Sequence, residues 1–140
     1  MEIHRRASEF RPYPPPRKNV LLLSCMDLRL IDDIVPFMEG DNLSNRYDQL
    51  VFAGSALGVI QKDHKAWYDV FFQHLDIAVT LHQIQDVYIM EHRDCGAYAK
   101  FLGKKGTYGD SDREKKREEK DHRKYAFQLR DEIKVHRGKK

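Results

Sequence analysis

The sequence predicts an α/β domain built on a parallel-core β-sheet flanked by helices. Three observations predict it. Short continuous apolar runs alternate with longer stretches of helical periodicity, the order expected of strand–helix–strand units. The first run, Val20–Ser24, lacks polar alternation, as a strand covered on both faces would. Two runs end directly on chemistry-bearing clusters, Cys25-Met26-Asp27-Leu28-Arg29 and His92-Arg93-Asp94-Cys95-Gly96. In a parallel sheet the carboxyl ends of the strands share one edge, where ligands collect.

Taken in order, residues 1–19 hold four of the five prolines (Pro12, Pro14, Pro15, Pro16), and proline fixes φ and removes a donor. They read as an extended arm ahead of a single domain over residues 20–140. After the Val20–Ser24 strand, Leu28, Ile31, Ile34, Val35 and Met38 give a helix over 27–39, with Pro36 expected to bend or end it early. A polar loop over 40–48 leads to a second strand, Leu50–Ala53, closed by Gly54. Gly54 and Gly58 flank a turn in which backbone must pass tightly.

The longest apolar helix is expected over 65–82. Trp67, Val70, Phe71, His74, Ala78 and Leu81 mark one face, and Tyr68, Phe72, Leu75 and Val79 the next. So broad an apolar arc needs a second covering surface besides the sheet, and a second copy of the chain is its natural source. A third strand over 86–91 ends at His92, and 96–102 reads as a short helix. Glycines 103, 106 and 109 then break the chain, and Ser111-Asp112-Arg113-Glu114 has the form of a capping box opening a last helix over about 111–137. Its first half, 113–124, is nearly all charge; Tyr125, Leu129 and Ile133 form a docking stripe.

Composition excludes several function classes. No apolar run approaches the length of a bilayer span, and Val20–Leu23 is too short for a signal-peptide core. Two cysteines in 140 residues do not make a secreted disulfide scaffold, so a reducing, cytoplasmic setting is expected. The net charge of +3 divides into −3 for residues 1–102 and +6 for 103–140. Within 113–124 the cations are interleaved with Glu114, Glu118, Glu119 and Asp121 and lack aromatics, the pattern of a solvated helix face rather than a nucleic-acid surface. A basic tail that binds an acidic partner stays open as an alternative.

Cys25, His92 and Cys95 carry the chemistry. An isolated cysteine usually behaves as a small buried hydrophobe. Here both cysteines stand at strand ends, His92 and Cys95 are spaced so that one tight turn can aim both at a point, and Asp27 and Arg29 stand beside Cys25. Two thiolates and an imidazole are a known catalytic zinc set with water in the fourth position. Cys95, just ahead of a helix, would have its thiolate favoured by the helix N-terminus. Zinc lowers the pKa of bound water toward about 7 in His-ligated sites, and two thiolates imply a higher value here, so activity should rise with pH. Asp27, held by Arg29, stays ionised and can take a proton from that water; unpaired, it could become a fourth ligand and close the site. His74 and His82 on the apolar helix read as structural or surface residues; His64, His122 and His136 have no partner visible in the sequence, and one of them could carry protons out.

Cys25-x-Asp27-x-Arg29 followed by His92-x-x-Cys95-Gly96 resembles the signature of β-class carbonic anhydrases, and the likeness runs from about residue 14 to about 102. The resemblance implies the fold of that family, Zn2+ on Cys25, His92 and Cys95, and a catalytic Asp27–Arg29 dyad. It implies hydration of carbon dioxide to bicarbonate by zinc-bound hydroxide in a homodimer or higher oligomer. Two departures stand out. Val51-Phe52 occupy the place where the family has Arg-Asn before Ala-Gly, which leaves a related hydrolase of carbon disulfide or carbonyl sulfide, or a non-catalytic zinc domain, as alternatives. The family also continues into a further strand where this sequence stops at Lys140, which leaves three alternatives: a sheet lacking that last strand, a partner covering its edge, or a chain that is a fragment.

Overall fold

The computed structural model describes residues 18–139. The arm expected over residues 1–19 lies almost wholly outside them. Three parallel strands, β1 (Val20–Ser24), β2 (Tyr47–Val51) and β3 (Asp86–Ile89), form one sheet in the order β2-β1-β3. Helices α1 (Ile31–Gly40), α2 (Ala56–Ile60), α3 (Ala66–His82), α4 (Gly96–Leu102) and α5 (Asp112–Gly138) surround it, with a short 3-10 turn at Gly103–Gly106. This is the parallel α/β architecture expected from the sequence, with three strands among the described residues.

β1 is central, and its uninterrupted apolar run serves two faces. Val20 and Leu22 meet Ile34 and Met38 of α1 together with Leu43 and Tyr88. Leu21 and Leu23 meet Phe71, Phe72, Leu75 and Ala78 of α3, with Ala126 and Leu129 of α5. Burying a side chain such as these leucines contributes about 1.5–3 kcal/mol. The docking stripe on α5 therefore seats as expected, with Leu129 fully buried and Tyr125 and Ile133 packed at the margin.

Several expectations need correction, among them the third strand, which ends at Ile89 and not at residue 91. The second strand lies at Tyr47–Val51, earlier than Leu50–Ala53. β2 is an edge strand whose side chains are mostly half-buried, so Asp48 and Gln49 are tolerated: Gln49 donates to Ser24 Oγ at 3.1 Å, and Asp48 meets His82 at 2.7 Å. The first helix starts at Ile31 because Asp27 and Arg29 make a turn instead, with Leu30 N donating to Asp27 O. Pro36 neither ends nor shortens that helix, which runs on to Gly40 with Pro36 on its exposed side. On α3 the buried stripe is narrower than the sequence suggested, because Val70, Ile77 and Leu81 are exposed.

The turn between β2 and α2 needs both of its glycines. Gly54 has φ +84, and a Cβ on Gly58 would lie 1.9 Å from the carbonyl oxygen of Ala53. That close approach sets Gly54 N beside the end of β1. No described helix is long and apolar enough to cross a membrane.

Candidate metal centre

The chain leaves β1 toward β2 on one side, and α4 follows β3 on the other. The crevice between the carboxyl ends of β1 and β3 is thus the topological switch point of the sheet. Cys25 follows β1 directly, and His92 and Cys95 follow β3. Their ligand atoms all lie within 4.8 Å of one another. The two sulfurs are 3.8 Å apart, and both cysteines are buried.

The donor set fits zinc. Two sulfurs held about 2.3 Å from a tetrahedral zinc stand about 3.8 Å apart, which is the separation found. His92 Nδ1 lies 2.7 Å from the Arg93 carbonyl, which fixes the ring and leaves Nε2 as the nitrogen presented to the centre. That Nε2 is buried without a hydrogen-bond partner. A buried orphan nitrogen is costly unless something binds it.

Charge is arranged around the same point. Cys95 shares its proton with Cys25, which also accepts Gly54 N–H at 3.3 Å; these contacts, with His92 close by, pull the Cys25 thiol below its ordinary range and push the Cys95 thiol up. Burial alone would lower the His92 imidazole, but the Cys25 sulfur and the Arg93 carbonyl raise it. Asp27 accepts from Arg29 Nε at 2.9 Å, from Arg29 Nη2 at 2.7 Å and from Arg29 N at 2.9 Å. These contacts hold its carboxyl well below the usual carboxylate range, so it is ionised at neutral pH. Asp27 Oδ2 is 3.9 Å from His92 Nε2, so the dyad faces the centre. Glu91 shifts the opposite way: burial pushes it up to about 7 despite the Tyr98 hydroxyl, which donates to it at 2.8 Å.

The structure thus brings together Cys25, His92, Cys95, Asp27 and Arg29. His64 stacks on Trp67, His74 bonds within its own helix at Val70 O, His82 pairs with Asp48, and His136 pairs with Asp76; all four take structural contacts. Two residues escaped sequence reasoning. Glu118 and His122 lie in the stretch 113–124 that reads as a solvated charged face, yet both are buried against the site. Glu118 accepts from Arg93 Nε and from Asp94 N, each at 2.9 Å, and His122 packs on Tyr98 with ring centroids 4.4 Å apart. Burial works against the Glu118 charge, yet these donors hold its carboxyl below its ordinary value. The only sequence signal was their spacing: 118 and 122 lie one turn apart and continue through Tyr125, Ala126 and Leu129, the buried stripe of α5.

Comparison with known proteins adds a family. A family model described as "Putative carbonic anhydrase" matches residues 16–124, more than half of the chain. An uncharacterized protein of Rickettsia bellii (strain RML369-C) is 31% identical over 84 residues, covering 60% of this chain and 51% of its own length. An uncharacterized protein of Rickettsia conorii (strain ATCC VR-613 / Malish 7) is 32% identical over 85 residues, covering 61% of this chain and 46% of its own length. The chain thus matches about half the length of each of these relatives. No solved structure matches.

Proposed function

Since the chain belongs to the family described as putative carbonic anhydrases, we propose that it is a zinc lyase that reversibly hydrates carbon dioxide to bicarbonate. The observation that carries this reading is the convergence of Cys25, His92 and Cys95 within 4.8 Å, with the Asp27–Arg29 pair facing them. Cys25, His92 and Cys95 would hold Zn2+, which when bound supplies a Lewis acid that makes water nucleophilic near neutral pH. The remaining work falls to the chain's own side chains. Asp27 Oδ2 accepts a hydrogen bond from the attacking water and orients its lone pair, and the proton released on hydration passes to buffer. Arg29 keeps Asp27 ionised and fixed in a two-pronged contact, and is itself anchored by its 3.0 Å bond to Asp94 O. With that pair closed on itself, Asp27 is read as orienting the water rather than as a fourth ligand.

Stopped-flow hydration by zinc-loaded protein tests the proposal. A rate well above buffer at pH 8.5, rising with pH, is expected; a rate equal to buffer with stoichiometric zinc bound overturns it.

A second reading is favoured by Phe52, which packs edge-on against Trp67 and Phe71 at ring distances of 6.3 and 6.2 Å where the family has a polar residue. Loss of that polar residue favours a less polar linear substrate, carbon disulfide or carbonyl sulfide. Sulfide release faster than carbon dioxide hydration would select that reading.

We take the active form to be a homodimer in a reducing, cytoplasmic setting. The exposed Val70, Ile77 and Leu81 on α3 support the dimer, and the free cysteines support the setting. Sedimentation equilibrium giving a monomer at micromolar concentration would remove the dimer.

A further inference from the structure

We propose that Glu118 of α5 is a positioning residue that holds the His92–Cys95 turn in its ligating shape. The proposal rests on the reading of Cys25, His92 and Cys95 as metal ligands, and goes beyond it by assigning a remote charged residue to the site.

Asp94 has φ +56, a left-handed conformation that costs a residue with a Cβ free energy, although less for Asp than for most, and that contacts from elsewhere can stabilise. Each side of Asp94 is gripped from elsewhere in the chain. Its N–H is taken by Glu118 Oε2 at 2.9 Å, and its carbonyl by Arg29 Nη2 at 3.0 Å. The other Glu118 oxygen takes Arg93 Nε at 2.9 Å. One carboxylate therefore pins two consecutive residues lying between the two ligands that β3 supplies.

The energetics favour a positioning role over an incidental contact. Glu118 is 1% exposed, and a carboxylate is that deeply buried only when its oxygens are satisfied by strong donors. Its neighbours on the same charged stretch behave differently: Glu119 is exposed and pairs within its own helix with Arg123 at 3.4 Å. One helical turn beyond Glu118, His122 packs on Tyr98, whose hydroxyl binds Glu91, the residue just before His92. The face of α5 carrying Glu118 and His122 thus braces the ligand turn in its middle and behind its start. Partners of this kind orient metal ligands, and their loss costs about 10–100-fold in metal affinity or activity.

Glu118→Gln tests this, because glutamine keeps the volume but offers one acceptor oxygen and an NH2 that cannot accept from Asp94 N or Arg93 Nε. The expected result is zinc release faster by about 10–100-fold and a changed visible spectrum of the cobalt-substituted protein. Glu119→Gln, an equal change of charge one residue away, should match wild type in both. In metal-free protein, amide exchange at Asp94 should be slow in wild type and at least about tenfold faster in Glu118→Gln, a readout that needs neither metal nor activity. Should Glu118→Gln fail to fold, Arg93→Gln, altering a half-exposed side chain, removes one arm of the clamp and should also speed zinc release. Unchanged Asp94 exchange in folded Glu118→Gln, or unchanged zinc release in Arg93→Gln, overturns the proposal. Absence of carbon dioxide hydration in wild type would defeat the proposed function while leaving these results to stand by themselves.

Discussion

Two turns meet at the candidate metal centre, and they are held in opposite ways. The turn after β1 is held from within. Asp27 closes on Arg29 through backbone and side chain, all within three residues, and Leu30 N returns to Asp27 O. The turn after β3 is held from outside. Its Asp94 is in a left-handed conformation, and the groups that fix it come from Arg29, 65 positions earlier, and Glu118, 24 positions later. A turn closed on itself can be read from five letters of sequence. A turn braced by a distant helix can be recognised only by its ligands, and its support is invisible until the helix is in place.

The largest effects should come from breaking the convergence of both turns. Cys25→Ala and Cys95→Ala each leave a two-ligand set, and bound zinc is expected to fall from stoichiometric to undetectable after dialysis. Atomic absorption on the dialysed proteins checks this. Equal losses from the two variants would show that neither cysteine can be spared, however differently their turns are built.

Next in size is a change confined to the self-closed turn. Asp27→Asn keeps the shape but replaces a carboxylate oxygen with an amide nitrogen that cannot accept a hydrogen bond from the water. Zinc content should stay at the wild-type level while turnover falls by about 10²–10⁴-fold, the usual contribution of a positioned acid–base group. Full activity in stopped-flow assays of this variant would remove Asp27 from the chemistry.

The same contrast explains what was legible beforehand. Val20–Ser24 announced a doubly covered central strand because both its faces are apolar, and 96–102 announced a short helix ahead of the glycines. The convergence of Cys25, His92 and Cys95 beside a paired Asp27 and Arg29 was legible because zinc chemistry restricts residue type and spacing so tightly. β2 was misplaced because an edge strand can carry Asp48 and Gln49, so its apolar letters do not mark its bounds. Pro36 misled because a helix packed on Val20 and Leu22 through Ile34 and Met38 outweighs one missing N–H. Glu118 and His122 stayed hidden because charge in a helix ordinarily means solvent, and only tertiary packing turns that face inward.

A smaller effect should separate the external brace from the turn it supports. His122 is buried, and that burial, partly opposed by Glu118, holds its imidazole below its ordinary value of 6.5. Its contribution to stability is therefore complete above pH 6.5 and is lost as pH falls through the lower folded value. His122→Phe keeps a ring against Tyr98 and removes both the titration and a buried Nε2 that has no partner. Urea unfolding should find the variant as stable as wild type or better at pH 8, and more stable at pH 5 by about 1–3 kcal/mol. A wild-type acid slope surviving unchanged in His122→Phe would place its origin elsewhere.

The smallest effect concerns how far the brace depends on its own beginning. Ser111 Oγ accepts from Glu114 N at 3.1 Å, the N-cap of α5, and Ser111→Ala should cost about 1 kcal/mol in urea unfolding. Glu118 lies seven residues in, about 10 Å along the axis, beyond the turn that frays when a cap is lost. It is also pinned by Arg93 and Asp94, and its helix by Ala126 and Leu129 in the core. Zinc release from Ser111→Ala should therefore match wild type within twofold while stability falls. If release instead accelerates with the lost cap, the carboxylate is positioned by the start of the helix and not by its packed middle, and the external hold on the second turn begins at residue 111.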